Sequence, residues 1–201
     1  MHENMTPNLR RLDARNPLVL DTRDLGRRPG SMRVVQRRAP APAVLGLDIV
    51  RVPEGALLEL DLRMESVTEG VLVTGSVTTS FVGECGRCLD PISDLVRGDV
   101  VELFAYPDSM TDATSERDEI HRIEADLIDL EPVVRDVVVL GLPSTPLCRS
   151  DCAGLCPDCG QRRDELGPGH THEVIDPRWA ALADRVPGPP EAQPHDQHDQ
   201  L

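Results

Sequence analysis

Residues 56–67 read ALLELDLRMESV and residues 70–85 read GVLVTGSVTTSFVGEC, and these two segments decide the fold. Over 58–64, aliphatic side chains occupy every second position and charged side chains occupy the positions between them. The second segment keeps the same period over 71–81. Because a period of two places alternate side chains on opposite faces of a strand, both segments are predicted strands with one apolar and one polar face. The Glu-Gly pair between them suits a turn, which predicts an antiparallel arrangement.

The flanking segments extend this β-rich region. The stretches 43–52 and 90–107 have strand composition, and 18–25 is predicted to be a strand that runs into a turn. Residues 26–42 (GRRPGSMRVVQRRAPAP) are rich in Arg, Pro and Gly, so we expect an exposed loop or arm. The polar, acidic segment 107–119 is expected to be a loop or flexible insert.

A helix is predicted within ADLIDLEPVVRDVVVLGLP, residues 125–143. Asp129 can cap it, and Glu131 and Pro132 suit its first turn. The predicted apolar side consists of Val133, Val134, Val137, Val138, Leu140 and Gly141. A second, short amphipathic helix is predicted over 176–186.

Charge is divided unevenly along the chain, whose formal net charge is −14. Residues 1–51 hold ten Arg and five acidic residues, a net of +5, whereas residues 52–201 hold eleven Arg and thirty acidic residues, a net of −19. An acidic body repels phosphates and disfavours general nucleic-acid binding. The basic head is either a solvated segment or an RNA contact. The RNA-contact candidates are Arg23, Arg27, Arg28, Arg33, Arg37 and Arg38.

The first twenty residues lack the apolar stretch of a signal peptide, and no apolar run approaches the length needed to span a membrane. We therefore expect a cytoplasmic protein with no membrane partner. In a reducing compartment, cysteines serve metal or redox roles more often than structural disulfides.

Four of the six cysteines lie in CRSDCAGLCPDCG, residues 148–160. The CPDCG portion has the form of a zinc knuckle, in which two cysteines separated by two residues chelate one ion. The segment has too few apolar residues to form a core, so a metal can supply its stability. The predicted ligands of a structural Zn²⁺ ion are Cys148, Cys152, Cys156 and Cys159. Free thiols or a redox-reactive pair are the alternatives.

Other side chains offer alternative ligand sets. His170 and His172 follow the knuckle and can replace Cys148 and Cys152. A further CxxC, Cys85 and Cys88, lies at a predicted strand end. That pair can be half of a second metal site completed by a partner chain or spare ligands, a redox pair, or a turn whose thiols merely pack. It can also join Cys156 and Cys159 in a split site.

No motif of an enzyme stands out. The sequence contains no phosphate-binding glycine loop, no GxSxG and no HExxH. We therefore expect a protein without catalytic residues and without a small-molecule substrate.

These features predict an α+β fold, in which an antiparallel β-meander is joined by a packed helix and a C-terminal zinc-knuckle-like segment. The predicted divisions are a flexible N-terminus over 1–16, a β-rich core over 17–145 with an Arg-rich arm at 23–42, the cysteine knuckle and short helix over 146–187, and a disordered tail over 188–201.

Three ordered motifs carry a family resemblance. They are CGRCLDP at 85–91, IDLEPVVRD at 128–136 and PLCRSDCAGLCPDCG at 146–160. Together they resemble the YceD family, the large ribosomal RNA subunit accumulation proteins, over roughly residues 15–180. In many members a C-x-C follows the knuckle, whereas this chain has His170 and His172, which favours the histidines as metal ligands.

The resemblance implies a non-enzymatic factor in the synthesis, processing or stability of large-subunit (23S) rRNA. The implied partners are precursor large-subunit rRNA, a basic large-subunit ribosomal protein, or both. The acidic body favours the protein partner, and the Arg-rich head favours RNA. A zinc-dependent redox or metal-sensing regulator is the alternative function.

Overall fold

The structure is a computed structural model that describes residues 12–107, 109–114, 120–172 and 178. The chain divides into two compact units, one that ends at Gly154 and one that begins at Leu155. The predicted disordered tail, residues 1–11 of the predicted flexible N-terminus and the predicted helix over 176–186, apart from Arg178, lie outside the described residues. Within the described part of the chain, no helix has the length and apolar character needed to span a bilayer.

The two alternating segments form the predicted antiparallel pair. They become β5 (Leu57–Ser66) and β6 (Gly70–Glu84), and the turn between them is closed by a hydrogen bond from the Val67 N–H to the Gly70 carbonyl. The apolar face of β5 is buried as its period requires. β7 (Pro91–Ala105) pairs with β6 along its whole length, so β6 has strands on both edges.

The prediction of an exposed loop or arm at 26–42 is wrong for most of this segment. Met32–Pro40 forms β2, which pairs antiparallel with all but one residue of β5. Val35 and Ala39 are buried on the core side of this strand, and Arg33 and Arg37 flank them half-buried. The arginines conceal a period-two pattern because their aliphatic stems lie against the core while their charged ends reach polar groups.

The remaining strands are short. The segment 43–52 is divided into a hairpin of β3 (Leu45–Leu47) and β4 (Val50–Val52), and β4 pairs with the end of β6. β1 (Val19–Asp21) pairs with β9 (Leu127–Asp129) in a separate two-stranded sheet, and β8 (His121–Arg122) pairs parallel to the end of β7. The described chain is thus mostly antiparallel sheet with two helices, in agreement with the predicted α+β class.

The predicted helix forms as α2 (Glu131–Gly141). The Asp129 carboxylate accepts a hydrogen bond from the Glu131 N–H at 2.9 Å, but the N-cap residue is Leu130, so Asp129 lies one residue before the capping position that was predicted for it. Val133, Val134 and Val138 are buried, but Leu140 is 85% exposed, so the predicted apolar side is too broad. At this end of the helix the side that carries Gly141 approaches Val96 of β7, which directs Leu140 away from the sheet.

A one-turn helix, α1 (Met110–Thr114), occupies part of the segment predicted to be a loop. Its Thr111 N–H donates to the Glu69 carboxylate at 3.1 Å, and its Asp112 forms an ion pair with Arg122. A few polar contacts therefore order a stretch that lacks any apolar periodicity.

The contact between α2 and β7 depends on a glycine in the strand. A Cβ atom at Gly98 would lie 2.3 Å from the Val137 Cγ1 atom and 2.9 Å from the Val137 carbonyl oxygen. We expect Gly98→Ala to lower the free energy of unfolding by about 1–3 kcal/mol, because overpacking forces the helix away from the sheet. Urea denaturation of the full chain measures this change. Gly167→Ala is the matched control, since a Cβ atom there contacts nothing within 4 Å; equal midpoints for the two variants would contradict the prediction.

Candidate metal centres

The loop between β6 and β7 brings Cys85 and Cys88 to the end of the sheet. The Cys85 N–H donates to the Asp90 carbonyl at 2.8 Å, and the Leu89 N–H donates to the Cys85 carbonyl at 2.9 Å. Leu89 adopts a left-handed conformation, with φ 62°, to close this tight turn. The loop therefore brings the Cys85 and Cys88 thiols into one cluster.

A second segment lies against this loop. The Gly86 N–H donates to the Pro146 carbonyl at 2.8 Å, and the Arg87 guanidinium donates to the Cys152 carbonyl at 2.9 Å. Gly154 has φ 76°, and a Cβ atom there would lie 2.9 Å from the Arg87 carbonyl oxygen, so glycine permits the close approach. These contacts place Cys148 and Cys152 beside the first CxxC.

Cys85, Cys88, Cys148 and Cys152 form what we call the first thiol cluster. The Cys85 and Cys152 sulfurs are 3.8 Å apart, and the Cys88 and Cys148 sulfurs are 3.6 Å apart. A tetrahedral ion with bonds of about 2.3 Å to sulfur separates its ligands by about 3.8 Å. All but Cys148 are buried. The cluster therefore has the ligand type, number and spacing to hold a metal ion such as zinc.

The thiols of the first thiol cluster have pKa values that are shifted in opposite directions. The backbone N–H groups of Cys148 and Cys88 donate to the Cys85 sulfur and lower the pKa of its thiol to about 6. At Cys88 the Asp90 N–H also lowers the pKa, but burial and the neighbouring thiols outweigh it and raise the pKa to about 12. Burial raises the pKa of Cys148 as well. Adjacent thiolates repel each other, so a bound cation is needed to ionise all four thiols together.

The C-terminal unit builds a separate group from its own residues, Cys156, Cys159, His170 and His172, which we call the Cys-His cluster. The Cys156 N–H donates to the Gln161 carbonyl at 2.7 Å, and the Gly160 N–H donates to the Cys156 carbonyl at 2.8 Å. These bonds form the knuckle that the CPDCG sequence predicts.

The two histidines complete the Cys-His cluster. The His170 Nε2 atom is 3.6 Å from the Cys159 sulfur and 2.7 Å from the His172 Nε2 atom. Backbone N–H groups of Cys159 and Asp158, together with His170, lower the pKa of Cys156 to about 6. Cys156 is buried, whereas the other three ligands are exposed. This group also has the chemistry to hold a metal ion.

The structure groups the predicted ligands differently from the sequence analysis. Cys148 and Cys152 join the Cys85–Cys88 pair, whereas Cys156 and Cys159 join the histidines that were alternates. The expected set of four cysteines from 148–160 is therefore divided between two clusters. A signal for this division was available, because six cysteines and two histidines supply the eight ligands of two tetrahedral sites.

The six candidate RNA-contact arginines are mostly engaged within the protein. Arg23 pairs with Asp21, Arg38 pairs with Glu59 at 3.0 Å, and Arg33 lies 3.7 Å from Asp24. The Arg37 guanidinium donates to the Val19 carbonyl at 2.9 Å and ties β1 to β2. Arg27 lies over the Tyr106 ring at 4.8 Å. Arg28 is exposed, and its guanidinium has no hydrogen bond or ion pair with the described residues.

Comparison with known proteins identifies relatives. Residues 73–184, more than half of the chain, match the family described as "Large ribosomal RNA subunit accumulation protein YceD". An uncharacterized protein of Mycobacterium tuberculosis is 52% identical over 171 residues, which cover 85% of this chain and 82% of the relative. An uncharacterized protein of Mycobacterium leprae is 46% identical over 171 residues, with 85% and 78% covered. The uncharacterized protein YlbN of Bacillus subtilis is 27% identical over 140 residues, with 69% and 77% covered. No solved structure matches the chain.

The grouping of cysteines predicts which thiols can be oxidised together. When the metal-free protein is treated with diamide, two thiols transfer two electrons and two protons to the reagent and form one disulfide. We expect Cys85–Cys152 and Cys88–Cys148 crosslinks, because those sulfurs are 3.8 and 3.6 Å apart. Peptide mapping under non-reducing conditions identifies the links.

Cys152→Ser provides the control for this mapping. It removes the Cys85–Cys152 link and leaves the Cys88–Cys148 link intact. Predominant links from Cys148 or Cys152 to Cys156 or Cys159 would instead support a single site within 148–160.

Proposed function

The chain belongs to the YceD family, and on that premise we propose that it supports the accumulation of large-subunit rRNA as a non-enzymatic binding protein in the cytoplasm. The family match over residues 73–184 is the observation that carries this proposal. The matched region contains β7, α2 and all eight candidate metal ligands. The part of this chain that matches the family therefore includes both candidate metal centres.

β2 and β7 lie on opposite sides of β6 within the main sheet and carry opposite net charges, and we call them the basic side and the acidic side. β2 at one edge holds three arginines and no acidic residue. β7, on the other side of β6, holds Asp94, Asp99 and Glu102 against the single Arg97. The basic and acidic sides therefore suit partners of opposite charge.

The acidic side favours a basic protein as the direct partner. Asp94 and Asp99 are exposed and, like Glu102, form no ion pair with the described residues. No strand pairs with the outer edge of β7 between Pro91 and Leu103 within the described part of the chain. The unpaired backbone groups of an edge strand can bind an extended segment of another protein. An extended Lys- and Arg-rich segment of a large-subunit ribosomal protein fits both the hydrogen bonding and the charge.

The basic side is the second candidate contact, with RNA. The three arginines of β2 already have acidic or carbonyl partners, as does Arg23 before the strand, which lowers the positive charge that they offer to phosphates. Arg27 and Arg28, which precede β2, are exposed and adjacent, so they are the candidate arginines that an RNA contact would use first.

We also propose that the first thiol cluster holds a structural Zn²⁺ ion. Four thiolates form a closed tetrahedral shell, which is the arrangement of structural rather than catalytic zinc. The ion would join the 146–152 segment to the 85–90 loop, which are otherwise held by a few hydrogen bonds. Its contribution to stability would come from linking segments that are 60 or more residues apart in the chain.

The role in rRNA accumulation is tested by depletion in the bacterium that expresses this chain. We expect the ratio of large- to small-subunit rRNA to fall and to recover when the wild-type protein is supplied. Measuring both rRNAs and mapping precursor ends distinguishes a processing defect from a loss of stability. An unchanged ratio under full depletion overturns the proposal.

The protein partner is tested with the immobilised full chain and the proteins extracted from purified large ribosomal subunits. We expect Asp94→Asn combined with Asp99→Asn to weaken retention of a basic ribosomal protein about tenfold, because rim charges steer and stabilise such contacts. Asp48→Asn combined with Glu54→Gln is the matched control, since it removes the same charge from exposed positions elsewhere. Retention is quantified by mass spectrometry.

Two other results would overturn the assignment of a protein partner. One is equal retention by the two double variants. The other is salt-sensitive binding of precursor rRNA that is lost in Arg27→Gln combined with Arg28→Gln and kept in Arg135→Gln, a control arginine on α2. The second result assigns the direct contact to RNA.

A further inference from the structure

We propose that the C-terminal unit binds its own Zn²⁺ ion through the Cys-His cluster, independently of the first thiol cluster, and that this second ion is the more readily exchanged. The inference does not depend on the role in rRNA accumulation, because it rests on the ligand geometry of residues 155–172.

The ligand atoms of the Cys-His cluster converge to within the range that one tetrahedral ion can draw together. With bonds of about 2.3 Å to sulfur and 2.0–2.1 Å to nitrogen, a tetrahedral zinc separates a sulfur from a nitrogen ligand by about 3.6 Å. The Cys159 sulfur and the His170 Nε2 atom are 3.6 Å apart, and all four ligand atoms lie within 4.8 Å of one another. The two Nε2 atoms, 2.7 Å apart, share a hydrogen bond that an ion replaces with a separation of about 3.3 Å.

The described residues of the C-terminal unit bury little apolar surface. Among its described residues only Cys156 is buried, and Leu155 and Leu166 are no more than half-buried. None of the residues described in this unit, 155–172 and 178, belongs to the hydrophobic core. A segment of this kind needs a metal, a disulfide or a partner to hold one conformation. The converging ligands identify the metal as the stabilising element.

The donor set selects zinc among common biological cations. Two thiolates and two imidazoles in a tetrahedron suit Zn²⁺, whereas Mg²⁺ and Ca²⁺ prefer oxygen ligands. Two thiolates also neutralise the charge of the ion, so the filled site carries no net charge. Four thiolates at the first thiol cluster leave a net charge of −2, for which the guanidinium of Arg87, bound to the Cys152 carbonyl, is a local counter-charge.

Exposure predicts that the two ions differ in lability. Cys159, His170 and His172 are exposed, whereas three of the four ligands of the first thiol cluster are buried. The Nδ1 atoms of both histidines have no hydrogen-bond partner among the described residues, so the outer contacts that hold a ligating imidazole in place are missing there. Loss of such contacts lowers metal affinity about 10–100-fold.

The number of sites is tested by native mass spectrometry and elemental analysis of the full chain purified with zinc. We expect two zinc ions in the wild type and one in His170→Ala combined with His172→Ala. Cys85→Ser combined with Cys88→Ser removes the other ion. His121→Ala is the matched histidine control, because His121 packs against Phe104 and lies outside both clusters.

A readout of ligand type accompanies the count. Cobalt substituted for zinc absorbs in the visible range with an intensity and position that depend on the number of thiolates. The double histidine variant should lose the component of a two-thiolate site and retain that of a four-thiolate site. Urea denaturation of the same variant reports whether the first unit remains folded.

Each outcome of these measurements is decisive for the second site. Two ions that fall to one in the double histidine variant support it, and so does a single wild-type ion that disappears in that variant. In the latter case the structural zinc proposed for the first thiol cluster fails, while the second site stands. An unchanged zinc count in the double histidine variant overturns the inference, and so does loss of that same ion when Cys148, a member of the other cluster, is replaced.

The relative lability is tested by adding EDTA to the two-zinc protein and following zinc loss with time. We expect one ion to leave about tenfold or more faster than the other, and to be the ion that is missing from the double histidine variant. Loss of both ions at one rate, or earlier loss from the first thiol cluster, contradicts the assignment of the exposed site as the labile one.

Discussion

The pairing of β6 along both of its edges is the constraint on which the rest of the first unit depends. β7 covers one edge over fifteen residues, and β5 and β4 share the other. Because side chains alternate with a period of two, a slip of one residue would turn Val71, Val73 and Val77 from the core to the solvent. The burial of this valine ladder therefore sets the register of three neighbouring strands at once.

This register also determines where the chemistry is located. β6 ends at Glu84, so Cys85 begins the connecting loop at the rim of the sheet. α2 crosses β7 at Gly98, and the chain that leaves α2 returns to the same rim through Pro146. The first thiol cluster is thus assembled where a strand pair and a helix both end. With aromatic residues at only 2% of the chain, aliphatic packing supports this assembly, and a metal at the rim would strengthen it.

The main sheet also places a basic strand, β2, and an acidic strand, β7, on opposite sides of β6. Arg33, Arg37 and Arg38, three of the arginines near the start of the chain, lie on β2 and contact neighbouring acids or carbonyl groups. The acidic residues of β7 keep no such partners among the described residues. The proposed basic partner fits the acidic overall charge and the edge of β7 that no described strand covers from Pro91 to Leu103.

Local patterns were sufficient for β5, β6, the helix α2 and the knuckle at Cys156 and Cys159, because period, capping residues and CxxC spacing act over a few neighbours. They did not predict β2, because arginines occupy positions in its period-two pattern. They also did not predict that Leu140 is exposed, because its exposure depends on how α2 packs against β7. They also left open which ligands share an ion. Cys85 and Cys152 are 67 residues apart in sequence yet 3.8 Å apart at sulfur, so only strand pairing and helix packing can decide that they meet.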